Sequence, residues 1–137
     1  MTAELESVLA GVRVLLVDDD DDGRDLMATM LEHAGAVVVA AANAAEAFDA
    51  FVAEPPRLLL SDIALPGEDG FSLLRRIRAV EAARGGEVIA VAISGYGHEV
   101  AANAGGFAVH LTKPVERLQL LRILRALLDP PPSSPSG

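Results

Sequence analysis

Hydrophobic residues in this chain fall into two alternating kinds of run. VRVLLV, residues 12–17, is continuously apolar apart from Arg13 and rich in β-branched residues, the pattern of a strand buried on both faces. It stops at five consecutive aspartates, Asp18 to Asp22. After Gly23, the apolar residues Leu26, Met27, Met30 and Leu31 recur at three- and four-residue steps, which predicts an amphipathic helix ended by Gly35. The pair then repeats. AVVVA reads as a second strand, Asn43 as the cap of a helix AAEAFDAFVAE, Pro55-Pro56 as a break, and RLLLSDI as a third strand. The loop LPGED leads into GFSLLRRIRAVEAARGG, a helix with Phe71, Leu74, Ile77 and Arg78 in its periodicity, followed by EVIAVAIS as a fourth strand. HEVAANAGG has helical composition but little length. FAVHLT then reads as a fifth strand and PVERLQLLRILRALL as a strong last helix.

Five strands alternating with five helices require right-handed crossovers, hence an α/β fold with a parallel sheet covered by helices on both faces. Such a sheet binds ligands at the carboxyl ends of its strands, beside the point where strand order reverses. Residues 1–11 read as a leader or linker, with Leu5, Val8 and Leu9 at helical spacing, residues 12–128 as one domain, and 129–137 as a disordered Pro/Ser tail.

Composition narrows the function. A length of 137 residues with 51% hydrophobic content fits one core. Eleven Lys and Arg against 20 Asp and Glu give a net charge of -9, which opposes binding to nucleic acid or to anionic lipid. With no cysteine, disulfides and thiol chemistry are excluded. No run reaches the length of a membrane span, and MTAELESVLAG lacks the features of a signal peptide, so a cytoplasmic location is expected.

The special polar residues fall at strand ends: Asp18 and Asp19 after the first, Asp62 at the third, Ser94 at the fourth and Lys113 after the fifth. The topology gathers them at one edge. Converging carboxylates there need a hard cation such as Mg²⁺, which accepts a few carboxylates, carbonyls and retained waters.

VRVLLVDDD, LLLSDIALPGEDGF, VIAVAISGYG and HLTKPV, in this order, resemble the response-regulator receiver domains, CheY-like modules of two-component phosphorelays, along residues 12–128. The resemblance implies a flavodoxin-like sheet in the order 2-1-3-4-5 and a signalling switch that catalyses its own phosphorylation and slow self-dephosphorylation. It makes Asp62 the phosphoacceptor and puts Mg²⁺, or Mn²⁺, on Asp19, Asp62 and the carbonyl of Ala64, with Asp18 acting through water. Ser94 and Lys113 would contact the phosphoryl oxygens, and Lys113-Pro114 would be cis. The implied donor is a histidine kinase or histidine phosphotransfer protein, docking near the first helix, with an unknown protein target downstream. A stand-alone regulator and a receiver of a hybrid kinase both remain open.

Three other readings compete. Asp18, Asp20, Asp22 and Gly23 mimic the start of an EF-hand loop, but its twelfth position is Thr29 rather than Glu, and a strand precedes it. A Mg²⁺-dependent phosphohydrolase with its nucleophile at Asp18 would leave Asp62, Ser94 and Lys113 without a role. A pseudo-receiver would keep the fold as a binding module without phosphate.

The chain also departs from the family. His110 stands where a Tyr or Phe switch residue is usual, so it and Ser94 are the candidate switch pair. The interval from Ser94 to Lys113 is short by about three residues, close to one helical turn, so an irregular or shortened helix is expected over residues 96–106. The positions that tune phosphoryl lifetime in the family correspond by resemblance to Ala64, which cannot orient a water, and Tyr96, whose bulk would screen the phosphoryl group.

Overall fold

The computed structural model describes residues 7–95 and 104–128. The strands are β1 Arg13–Val17, β2 Val37–Ala41, β3 Leu58–Asp62, β4 Ile89–Ser94 and β5 Val109–Thr112. The helices are α1 Asp21–His33, α2 Ala44–Ala53, α3 Gly70–Arg84 and α4 Arg117–Leu128, and a single 3₁₀ turn spans Ala104–Gly106. All strand pairs are parallel, in the order β2-β1-β3-β4-β5. The expected doubly wound architecture is therefore present. Of the segment expected to be an irregular helix, 96–103 lies outside the described residues, and its end is the 3₁₀ turn.

Alternation along the strands divides the interior into two layers. Val14, Leu16, Leu58, Leu60, Val91 and Ile93 pack on one side of the sheet with α1 and α4. Leu15, Val17, Leu59, Ala90 and Ala92 pack on the other with α2 and α3. Because β1, β3 and β4 are covered on both sides, they read as continuous apolar runs. At the sheet edge, β2 leaves Val37 and Val39 exposed.

Each helix begins on a side-chain cap. Asp20 accepts from Gly23 N at 2.7 Å, Asn43 from Glu46 N at 2.8 Å, and Asp69 from Ser72 N at 2.8 Å, satisfying backbone donors that the first turn leaves free in α1, α2 and α3. The last helix uses Glu116, which accepts from Gln119 N at 3.1 Å.

Two positions differ from the sequence expectation. Leu26, read as part of the apolar face of α1, is 63% exposed, while Met27 and Leu31 carry that face inward. Leu9, in the supposed leader, is fully buried in the α1/α4 layer. Backbone bonds hold it there, Leu9 N to Ala34 O at 2.9 Å and Gly11 N to Gly35 O at 3.0 Å. Gly35 permits this approach: its φ is +98°, and an added Cβ would stand 2.8 Å from Ala10 Cα. Leu9→Ala is expected to cost about 2–4 kcal/mol in denaturant unfolding, and Leu26→Ala less than about 0.5 kcal/mol. Equal losses would contradict these placements.

Candidate functional site

The carboxyl edge of the sheet collects the acidic residues. Asp18 extends the β1 ladder, its N–H donating to Ala41 O at 3.1 Å, and is only 4% exposed. Asp62 ends β3 and is 6% exposed, whereas Asp19 is open to solvent. One carboxylate oxygen from each of Asp18, Asp19 and Asp62 lies within 4.8 Å of the others. Lys113, just beyond β5, reaches back across the edge. Its Nζ donates to Asp62 Oδ2 at 2.9 Å and to Asp18 Oδ2 at 3.2 Å. Its own N–H donates to Ser94 O at 2.8 Å, and the expected cis Lys113-Pro114 bond is present.

The aspartate run is divided among different tasks. Asp18 and Asp19 face the cluster, Asp20 caps α1, and Asp21 pairs with Arg24 at 2.6 Å. Arg24 also donates to the Asp18 carbonyl at 2.8 Å, fixing the backbone from which Asp18 projects. With Asp20 turned to the helix start, the run does not wrap around one centre as a calcium loop would.

Gly70 lets α3 begin directly against the phosphoacceptor candidate. Its N–H donates to Ile63 O at 2.8 Å, and an added Cβ would stand 2.5 Å from the carbonyl oxygen of Asp62. The intervening loop is tied down by Glu68, which accepts from Ser72 Oγ at 2.8 Å and from Arg76 Nη1 at 2.6 Å. Arg76 in turn lies 4.1 Å over the ring of Phe48 on α2.

Electrostatics follows from this geometry. Burial, together with the neighbouring Asp18 carboxylate, pushes the Asp62 carboxyl from its ordinary 3.8 up to about 7, and Lys113 opposes the rise. For Lys113, burial works against the ammonium, but the bonds to Asp62 and Asp18 outweigh it and hold its pKa above the ordinary value. Three carboxylate oxygens at such spacing form a hard, oxygen-only donor set that fits a divalent cation.

The remaining predicted residues sit nearby with different partners. Ser94 is 1% exposed, and its hydroxyl lies 2.6 Å from Nε2 of the half-buried His110. Ala64 is exposed on the loop after β3, and Tyr96 lies outside the described residues. The roles of Arg24 and Glu68 were not anticipated from the sequence. Their signals were the Asp21/Arg24 spacing on α1 and the Glu68/Ser72 spacing at the start of α3.

A profile of the response regulator receiver domain matches residues 14–125. The chain belongs to this receiver-domain family. An uncharacterized 14.6 kDa protein of Leptolyngbya boryana is 45% identical over 120 residues, covering 85% of this chain and 90% of that protein. The sensor histidine kinase GacS of Pseudomonas protegens is 34% identical over 116 residues, which are 82% of this chain and 13% of the kinase. Among solved structures, the receiver domain of NtrX from Brucella abortus superposes with a TM-score of 0.76 at 32% identity, covering 86% of this chain and 99% of that one.

For this receiver domain, the raised Asp62 carboxyl has a consequence for stability. The folded value near 7 exceeds the unfolded value near 3.8, so the folded state is favoured while Asp62 is protonated. That contribution is complete below the unfolded value and is lost as pH rises through about 7. Asp62→Asn should therefore raise the metal-free melting midpoint more at about pH 8 than at about pH 4, by about 4 °C. An equal gain at both pH values would contradict the raised carboxyl.

Proposed function

We propose that this receiver domain accepts a phosphoryl group on Asp62 from a phosphohistidine donor and changes its protein contacts when it does so. The observation that carries the reading is the meeting of Asp18, Asp19 and Asp62 with Lys113 at one edge of the sheet. In the transfer, a carboxylate oxygen of Asp62 forms the new bond to phosphorus while the phosphorus–nitrogen bond breaks. The electron pair of that bond leaves with the donor imidazole. The carboxylate need only be placed in line and the charge on the transferring group neutralised.

Asp19, Asp62 and the carbonyl of Ala64 would hold Mg²⁺ or Mn²⁺, with Asp18 bound through water. When bound, such a cation would supply charge neutralisation at the phosphoryl oxygens. Lys113 would add a second positive charge. Its bonds to Asp62 and Asp18 support this role, since they hold the ammonium beside the carboxylate that would accept the group. Ser94 would donate its hydroxyl to a phosphoryl oxygen, a contact that exists only in the phosphorylated state, which is what biases a switch.

A histidine kinase or phosphotransfer protein is the partner this reading calls for. A cleft of about 340 Å³ beside the acidic edge supports docking at α1. It is lined by Leu26, Met27, Met30, Pro114 and Val115, next to Asp18 and Lys113. The outward Leu26 thereby acquires a use, as apolar surface beside the reacting carboxylate. Exposed Ala64 offers no group to orient an attacking water, so the acyl phosphate should be long-lived.

Incubation with acetyl phosphate and Mg²⁺ is expected to add one phosphoryl mass to the intact chain and none to Asp62→Asn. Lys113→Ala should slow labelling roughly 10- to 100-fold. Labelling that survives Asp62→Asn would move the nucleophile to Asp18 or Asp19. In a separate chase in Mg²⁺ buffer, the label should decay over hours, and loss within seconds would contradict the assignment at Ala64.

A further inference from the structure

Ser94 and His110 make a contact that phosphoryl acceptance by Asp62 does not itself require. The hydroxyl oxygen is 2.6 Å from His110 Nε2, and Ser94 is 1% exposed, so water does not compete for that hydroxyl. The Ser94 carbonyl is fixed by Lys113 N at 2.8 Å, which anchors the residue beside the strand end that carries the ammonium. A serine hydroxyl has one proton to donate. Where His110 Nε2 is the acceptor, that proton is engaged by the ring and is withheld from any phosphoryl oxygen. Where Nε2 carries hydrogen, the ring donates to Ser94 Oγ and the hydroxyl proton is free to turn toward the phosphoryl group.

We infer that His110 is a positioning residue for the Ser94 hydroxyl, releasing it to the phosphoryl group when Nε2 bears hydrogen and holding it back when Nε2 is the acceptor. The inference rests on the proposed phosphoacceptor role of Asp62. A ring of three forms, two neutral tautomers and the imidazolium, loses one neutral tautomer once Ser94 donates to the phosphoryl group. Proton binding by His110 is then stronger in the phosphorylated state. By reciprocity, a proton on His110 favours the state in which Ser94 engages the phosphoryl group.

The surroundings leave the ring few other charges among the described residues. Leu111 packs with α1 and α4, so His110 points to the opposite side of the sheet. Its strand neighbour β4, IAVAIS, carries no charged residue, and the turn Ala104–Gly106 carries none. On α3, Arg76 pairs with Glu68, Arg78 pairs with the buried Glu81, and Arg75 is exposed. Along β5, Lys113 follows three residues later, bound to Asp62 and Asp18. His98 and Glu99, in the connection before β5, lie outside the described residues.

A pH profile of phosphorylation would report the carboxyl of Asp62 as well as the ring of His110. A site-specific readout separates them. The chain has three histidines, so His33→Asn and His98→Asn identify the His110 ring proton in NMR spectra. The full chain is titrated with Mg²⁺, without and with beryllium fluoride as a phosphoryl analogue. The His110 midpoint is expected to rise by about 0.3 pH unit when the analogue is bound, the shift that follows from losing one of two equally populated neutral tautomers. Ser94→Thr, which keeps the hydroxyl, should retain the rise, and Ser94→Ala should abolish it. An unchanged midpoint with the analogue bound overturns the role of His110 while leaving the phosphoacceptor reading in place. A rise that persists in Ser94→Ala also overturns it, since the anion's field alone would then be the cause. Failure of the analogue to bind the native chain removes the phosphoacceptor reading, and this inference with it.

Discussion

Mutual repulsion among three carboxylates at one rim of the sheet is the constraint under which the rest of that rim is arranged. Asp18 and Asp62 are almost fully removed from water, where ionised acids are hard to keep, and Lys113 supplies the positive charge that spans them. The placement of Lys113 depends on the last strand, that of Asp62 on the central one, and that of Asp18 on the first. A local cluster of charge is thus the product of pairing between segments far apart in the chain. The same oxygen-only set of groups fits a hard divalent cation, which would relieve that repulsion.

The fold supports this through two separate apolar layers. Leu15 and Leu16 are neighbours in sequence yet belong to different layers, and the same holds for Leu59 and Leu60. Side chains on both faces fix the strands against sliding, since a shift by one residue would exchange the layers. With the strands so fixed, the residues immediately beyond them are held at defined positions. Capping by Asp20 and Asp69 serves the same end, because each cap sets where a helix starts beside the acidic rim.

Much of this was legible in the chain itself. VRVLLV and LLLSD announce buried parallel strands because both faces are covered, and the polar residues that follow them mark the functional edge. Asn43 and the break at Pro55-Pro56 locate α2 by local backbone chemistry alone. What the pattern could not supply was direction and partnership. Leu26 and Met27 are both apolar, and only the path of α1 over the sheet decides which one turns outward. Leu9 lies before the first strand, and its burial depends on the turn at Gly35, a contact between segments that no helical or strand period encodes. The aspartate run announced a charged site but not its division between the acidic cluster, a helix cap and a pair with Arg24. The bond between Ser94 and His110 was equally hidden: resemblance pairs the two positions as a switch, but only the register between β4 and β5 brings the hydroxyl against the ring.

Gly70 carries a consequence for variation in this chain. With the Asp62 carbonyl 2.5 Å from where a side chain would begin, there is no rotamer that relieves the clash, because the obstruction is at the Cβ atom itself. Even alanine would have to push the main chain of Asp62 aside. A position that bears no functional group is thereby hard to replace, and a mutational survey blind to geometry would mistake it for part of the chemistry.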